Sequence, residues 1–165
     1  MPTAQYTALA NLTLSGTASS VTFSSIVGTY RDLLLVANLG TDISLRNILM
    51  QFNSDTSTNY SRVTMTGNGT SALATTDTGV AYYQADYYGR PSANGVISWS
   101  GIWNIMDYSA TDKHKTVLTR FGDSGDGSGA STGRWASTSA ITSIKVYPNT
   151  ENFATGSTFA LYGVK

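Results

Sequence analysis

Apolar residues recur from one end of the chain to the other in short clusters, and they follow a two-residue period far better than a 3.6-residue one. Residues 33–39 form an apolar run dense enough for a strand buried on both faces. Residues 45–52 alternate: Ile48, Met50 and Phe52 share a face, with Arg46 on that face near the strand end. Val63 and Met65 share a face within residues 60–66. Residues 80–88 are rich in aromatics and residues 95–106 in Ile and Trp. Residues 113–121 set Lys113, Lys115, Val117, Thr119 and Phe121 against His114, Thr116, Leu118 and Arg120. Near the end, Ile144 and Val146 share one face, and Phe159 and Leu161 lie opposite Tyr162. Turn-formers separate these runs: Asn53-Ser54-Asp55, Gly67-Asn68-Gly69, Gly89-Arg90-Pro91, Asn94-Gly95 and Pro148-Asn149.

No window of about eleven residues carries a helical stripe, and Ser and Thr, poor helix formers, fill nearly every window. Many short strands with regular turns predict an all-β, antiparallel β-sandwich of the jelly-roll kind; parallel units would need helical crossovers. The 165 residues suit a single domain, 1–165. Its low-complexity stretch, at about 122–133, reads as a long Gly/Ser-rich loop within the sandwich rather than a linker.

Composition narrows the function. Charged residues are 12 % of the chain and balance to a net charge of +0. That argues against an electrostatic grip on nucleic acid, which needs several Lys or Arg contacts to phosphate, and suits a surface that will be covered or one that only needs to be inert. There is no cysteine, so disulfides, thiolate nucleophiles and Cys-ligated zinc are ruled out. No apolar run is long enough for a membrane helix, and the first residues lack the basic and apolar regions of a signal peptide. The triplets at Asn11, Asn59 and Asn68 therefore read as chance matches to the glycosylation pattern.

Candidate chemistry is sparse. His114 is the single histidine; Asp112, two residues away, could orient it as a general base, but no serine sits in a nucleophile elbow. Asp123-Ser124-Gly125-Asp126-Gly127-Ser128-Gly129 superficially resembles a calcium loop, yet Arg134 stands where the late glutamate belongs. Asp55, Asp86, Asp107 and Glu151 could serve glycoside hydrolysis only if a cleft paired them. The expectation is a protein without catalytic residues, cofactor or metal. The aromatics are the other conspicuous feature. Tyr82, Tyr83, Tyr87, Tyr88, Trp99, Trp103 and Trp135 could be core, a subunit interface or a sugar platform; of the two functional readings, interface leads.

The order of the segments adds a resemblance. Tyr6-Thr7-Ala8-Leu9, Val21-Thr22-Phe23 and Thr29-Tyr30-Arg31-Asp32-Leu33 resemble the opening of a group of small virion proteins of tailed bacteriophages. Phe52-Asn53-Ser54-Asp55 followed by Asn59-Tyr60 is similar to a turn of that group, and His114-Lys115-Thr116 to one of its strands, with histidine replacing the usual aromatic. The strongest match is the ending, residues 141–144 and 153–164; residues 67–95 and 122–135 match least. The resemblance implies a non-enzymatic jelly-roll protein of the virion, on the outer capsid surface. There it would act as a capsid cement or decoration protein, stabilising contacts between major capsid protein subunits. It also implies a homo-oligomer, often a trimer. The alternative is a tail or fibre component that binds a host glycan. The resemblance makes Asn53, Asp55, Asn59 and Tyr60 turn-fixing residues, and Gly156 and Gly163 positions where a side chain is awkward.

Overall fold

The computed structural model describes residues 5–43, 47–85, 90–91, 95–123 and 125–165. Arg46, Asp86, Tyr87 and Tyr88 lie outside the described residues. The chain forms β1 (Tyr6–Thr13), β2 (Val21–Phe23), β3 (Asp32–Leu39), β4 (Ile48–Phe52), β5 (Tyr60–Gly67), β6 (Ala72–Val80), β7 (Tyr83–Gln84), β8 (Trp99–Met106), β9 (Lys115–Asp123), β10 (Gly127–Trp135), β11 (Ile144–Pro148) and β12 (Thr158–Val164). Among the described residues there is no helix.

Two antiparallel sheets pack as a sandwich. The large one runs β1-β12-β3-β8-β9-β10-β5-β6 and the small one β2-β11-β4-β7. With the β9–β10 hairpin treated as an insertion and β1 and β12 as additions at one edge, two four-stranded sheets remain, β2-β11-β4-β7 and β3-β8-β5-β6. That is the strand order of a jelly roll. One continuous cluster fills the space between the sheets, with Leu33, Leu35, Trp99, Trp103 and Ile105 from the large sheet against Met50, Phe52, Ile144 and Val146 from the small one.

The alternation explains most strands. β8 buries Trp99, Gly101, Trp103 and Ile105 and exposes the residues between them. Gly101 lies under the Trp99 ring, Gly133 under Tyr83 and Gly163 under Tyr30, and a Cβ at any of them would overlap the ring. β3 is buried on its inner face and only half-covered on the other.

Two stretches depart from the sequence reading. The expected loop at 122–133 is not a loop: β9 and β10 pair in unbroken register from Lys115↔Trp135 to Asp123↔Gly127. Its glycines serve a strand because Gly129 and Gly133 lie where Phe121 and Tyr83 fill the space a side chain would need. Residues 72–80, which carry no strong apolar period, form β6 by pairing with β5.

Candidate interaction surface

β5 turns Tyr60 into the core at its start, but beyond that residue its faces are exchanged relative to an ordinary sandwich strand. Val63 and Met65 point outward and are 50 % and 64 % exposed, while Arg62 and Thr64 point inward at 6 % and 1 %. The inward polar groups are satisfied there. Arg62 Nε donates to Asp77 at 2.6 Å, its Nη1 reaches Thr64 and the Gln84 carbonyl, and Thr64 Oγ1 bonds Ser131 Oγ at 3.0 Å. Inward polar groups of this kind are tolerated only with partners. The apolar pair is therefore displaced to the outside, where hydrophobic burial gains nothing within the single chain.

The neighbouring strands extend this apolar exposure. By register, Leu34, Asn104, Leu118, Thr132 and Val63 form one row across the outer face of the large sheet. Val36, Ile102, Arg120, Ala130 and Met65 form the next. Ile102 and Leu118 are 42 % and 44 % exposed. The rows enclose a shallow depression of about 560 Å³ between β8, β9, β10 and β5. Arg120 is the one charge in these two rows, and it makes no ion pair among the described residues. A solvated outer face normally alternates to polar residues, and contiguous exposed apolar patches mark interaction sites. The outer face of the small sheet differs: Leu49, Gln51 and Gln84 are already covered, and Lys145 sits over the Tyr147 ring.

Four of the seven aromatics expected at an interface are core residues, and Tyr87 and Tyr88 lie outside the described residues. Tyr83, Trp99, Trp103 and Trp135 are at most 2 % exposed, so they are core residues with no surface to offer a partner. Trp99 and Trp103 pack on each other with centroids 5.5 Å apart, and Trp135 packs on Phe52 and Tyr60. Tyr82 is half-buried. The exposed apolar residues that sequence reasoning missed as a surface, Val63, Met65, Ile102 and Leu118, carry period-two signals identical to those of core residues.

The turn residues come together in one network between β4 and β5. Asn53 and Ser54 adopt left-handed backbone, with φ of 52° and 56°. The Asn53 carboxamide accepts from the Thr142 and Ser143 amides and donates to the Ala140 carbonyl, tying the turn to the strand-entry segment of β11. Asp55 accepts from Ser57 N at 2.8 Å, Asn59 Nδ2 at 3.0 Å and Trp135 Nε1 at 2.7 Å. Burial alone would raise its pKa; the donors from Asn59, Trp135 and Ser57 outweigh that and hold it at about 2. Tyr60 OH accepts from the Phe52 amide at 2.9 Å, and burial pushes its ionisation upward.

The other candidates are engaged elsewhere or stand apart. In the acidic turn, the Asp126 carboxylate takes three donors from Arg90, and Asp123 accepts from Gly125 N and Ser98 Oγ. Among the described residues no three acidic or histidine side chains gather as metal ligands. Asp112 and His114 are exposed in the turn before β9, without a hydrogen bond between them, and Asp107 pairs with Lys113 at 3.7 Å. Lys115 is fully buried; its Nζ donates to the carbonyls of Lys113 and Thr138, and burial lowers its pKa. No protein-family profile matches the chain, and no curated protein matches its sequence.

Proposed function

We propose that this protein is a non-enzymatic structural component of a virion. In this reading it is a capsid cement or decoration protein that lies on the outer shell and holds neighbouring major capsid protein subunits together through the outer face of its large sheet. The single observation that carries the reading is β5, which turns Arg62 and Thr64 inward and places Val63 and Met65 outward, in two rows whose only charge is Arg120. A broad surface with little charge to desolvate is suited to extensive protein contact. The jelly-roll strand order and the resemblance of the turn and the C-terminal strand support the virion setting. The glycan-binding alternative retains fewer candidate rings, because Tyr83, Trp99, Trp103 and Trp135 are in the core and of the described rings only Tyr82 is partly exposed.

The test is titration of the purified chain onto expanded capsids that lack it. Saturable binding at lattice stoichiometry is expected, and Leu118→Asp should abolish it while leaving the melting temperature unchanged. No saturable binding by the parent chain, or undiminished binding by a folded Leu118→Asp chain, would remove the cement reading.

A further inference from the structure

Four strands end the two sheets. β2 and β7, the edges of the small sheet, are three and two residues long. β1, one edge of the large sheet, is broken by a bulge between Ala8 and Ala10. β6 is different: it is nine residues long and pairs with β5 in unbroken register from Ala72 to Thr78. Free edges expose a row of unpaired N–H and C=O groups, and proteins ordinarily blunt them with short length, bulges, proline or lysine. β2 and β7 are blunted by brevity and β1 by its bulge; β6 carries a bulge too, at Gly79 near its end, where the pairing steps from Thr78↔Ser61 to Val80↔Tyr60, but this leaves Ala72 to Thr78 as the longest unbroken edge. β6 has neither proline nor lysine, and its outward Ala74, Thr76 and Thr78 are exposed. Its one charge, Asp77, is neutralised by Arg62 of β5 at 2.6 Å.

We propose that β6 is a self-pairing edge, along which two copies of this chain join antiparallel across a two-fold axis. The chemistry of an open edge calls for an extended strand, and an antiparallel strand is complementary to its own copy. In such a pair, residues opposite one another share a sheet face. Ala74, Thr76 and Thr78 then meet only small side chains of the same row, and threonine pairs across strands are favourable. Asp77 brings no repulsion, because its partner arginine comes with it. Pairing along the edge leaves both outer faces on the same side, so the two large sheets continue into one platform. Only that last consequence rests on the proposed docking face; the pairing itself does not. A two-fold pair makes a dimer, not the trimer that the resemblance implies.

One strand pair buries less than the roughly 1,200–2,000 Å² of a stable interface, so the dimer is weak in dilute solution and is best detected by trapping. The chain has no cysteine, which makes single-cysteine trapping clean. Directly opposed residues in a sheet are close enough for a disulfide. Ala74→Cys, Thr76→Cys and Thr78→Cys would be oxidised beside Thr132→Cys, an exposed position on the same sheet face far from the edge. At least one β6 variant should trap a covalent dimer several-fold faster than the Thr132→Cys chain. Adding a neighbouring outward lysine to the variant that traps (Thr76→Lys in the Ala74→Cys or Thr78→Cys chain, Thr78→Lys in the Thr76→Cys chain) should slow its trapping several-fold. Equal rates at β6 and at Thr132, or trapping indifferent to the added lysine, would overturn the proposal. So would β6 amides protected from exchange only when another virion protein is added. The trapping outcomes do not depend on whether the chain binds capsids.

Discussion

The side chain of Asp55 links three parts of the molecule that are distant in sequence: its own turn, Asn59 at the start of β5, and Trp135 at the end of β10. Because its folded pKa is depressed to about 2 from 3.8, the carboxylate stabilises the fold fully above the unfolded value, and the contribution is lost as pH falls through the folded one. Asp55→Ala should cost about 2 kcal/mol at neutral pH, since it leaves buried donors unpaired. The penalty relative to the parent should shrink between pH 3.8 and about 2. Urea unfolding of both chains across that range checks it; equal stability at neutral pH would contradict the network's role. The resemblance pointed to this turn, but only the fold shows that the Trp135 indole donates into it.

At the scale of the element, β5 decides what the molecule offers to others. Its pattern reads as a half-buried strand, and nothing local tells which half is buried. A matched pair of substitutions measures the choice. Val63→Thr, on the exposed row, should change stability by less than about 0.5 kcal/mol. Val146→Thr, the same change at a position 0 % exposed, should cost about 1–3 kcal/mol. Comparable losses at both sites, read as shifts in denaturation midpoint, would place Val63 in a core and remove the exposed face. β10 teaches the complementary lesson. Its Gly/Ser run has almost no strand propensity, and it is a strand because β9 and β5 flank it on both sides and supply its ladder.

At the scale of the whole molecule, one core spans both sheets, and Trp99, Trp103 and Trp135 all lie in it. Unfolding should therefore be one cooperative transition, with tryptophan fluorescence and far-UV dichroism moving together. Iodide should quench the native protein weakly and the unfolded one strongly. Efficient quenching of the native tryptophans would return those rings to the surface. With a net charge of +0 and a proposed docking face whose two apolar rows hold only Arg120, association through that face should change little with ionic strength.

The alternation of apolar and polar residues, the turn-formers between the runs and the poverty of helix formers were enough to determine an antiparallel sandwich and the location of β3, β4, β8, β9, β11 and β12 to within a few residues. Those signals are local, and a pleated strand expresses them wherever it sits. Which face of β5 turns inward, that residues 127–135 and 72–80 are strands at all, and that the tryptophans are core and not contact were decided only by the tertiary structure. Period two says that two faces differ; the partner sheet decides which of them is covered. A row of small or polar residues becomes a strand only when neighbouring strands supply the hydrogen bonds that its own side chains do not call for.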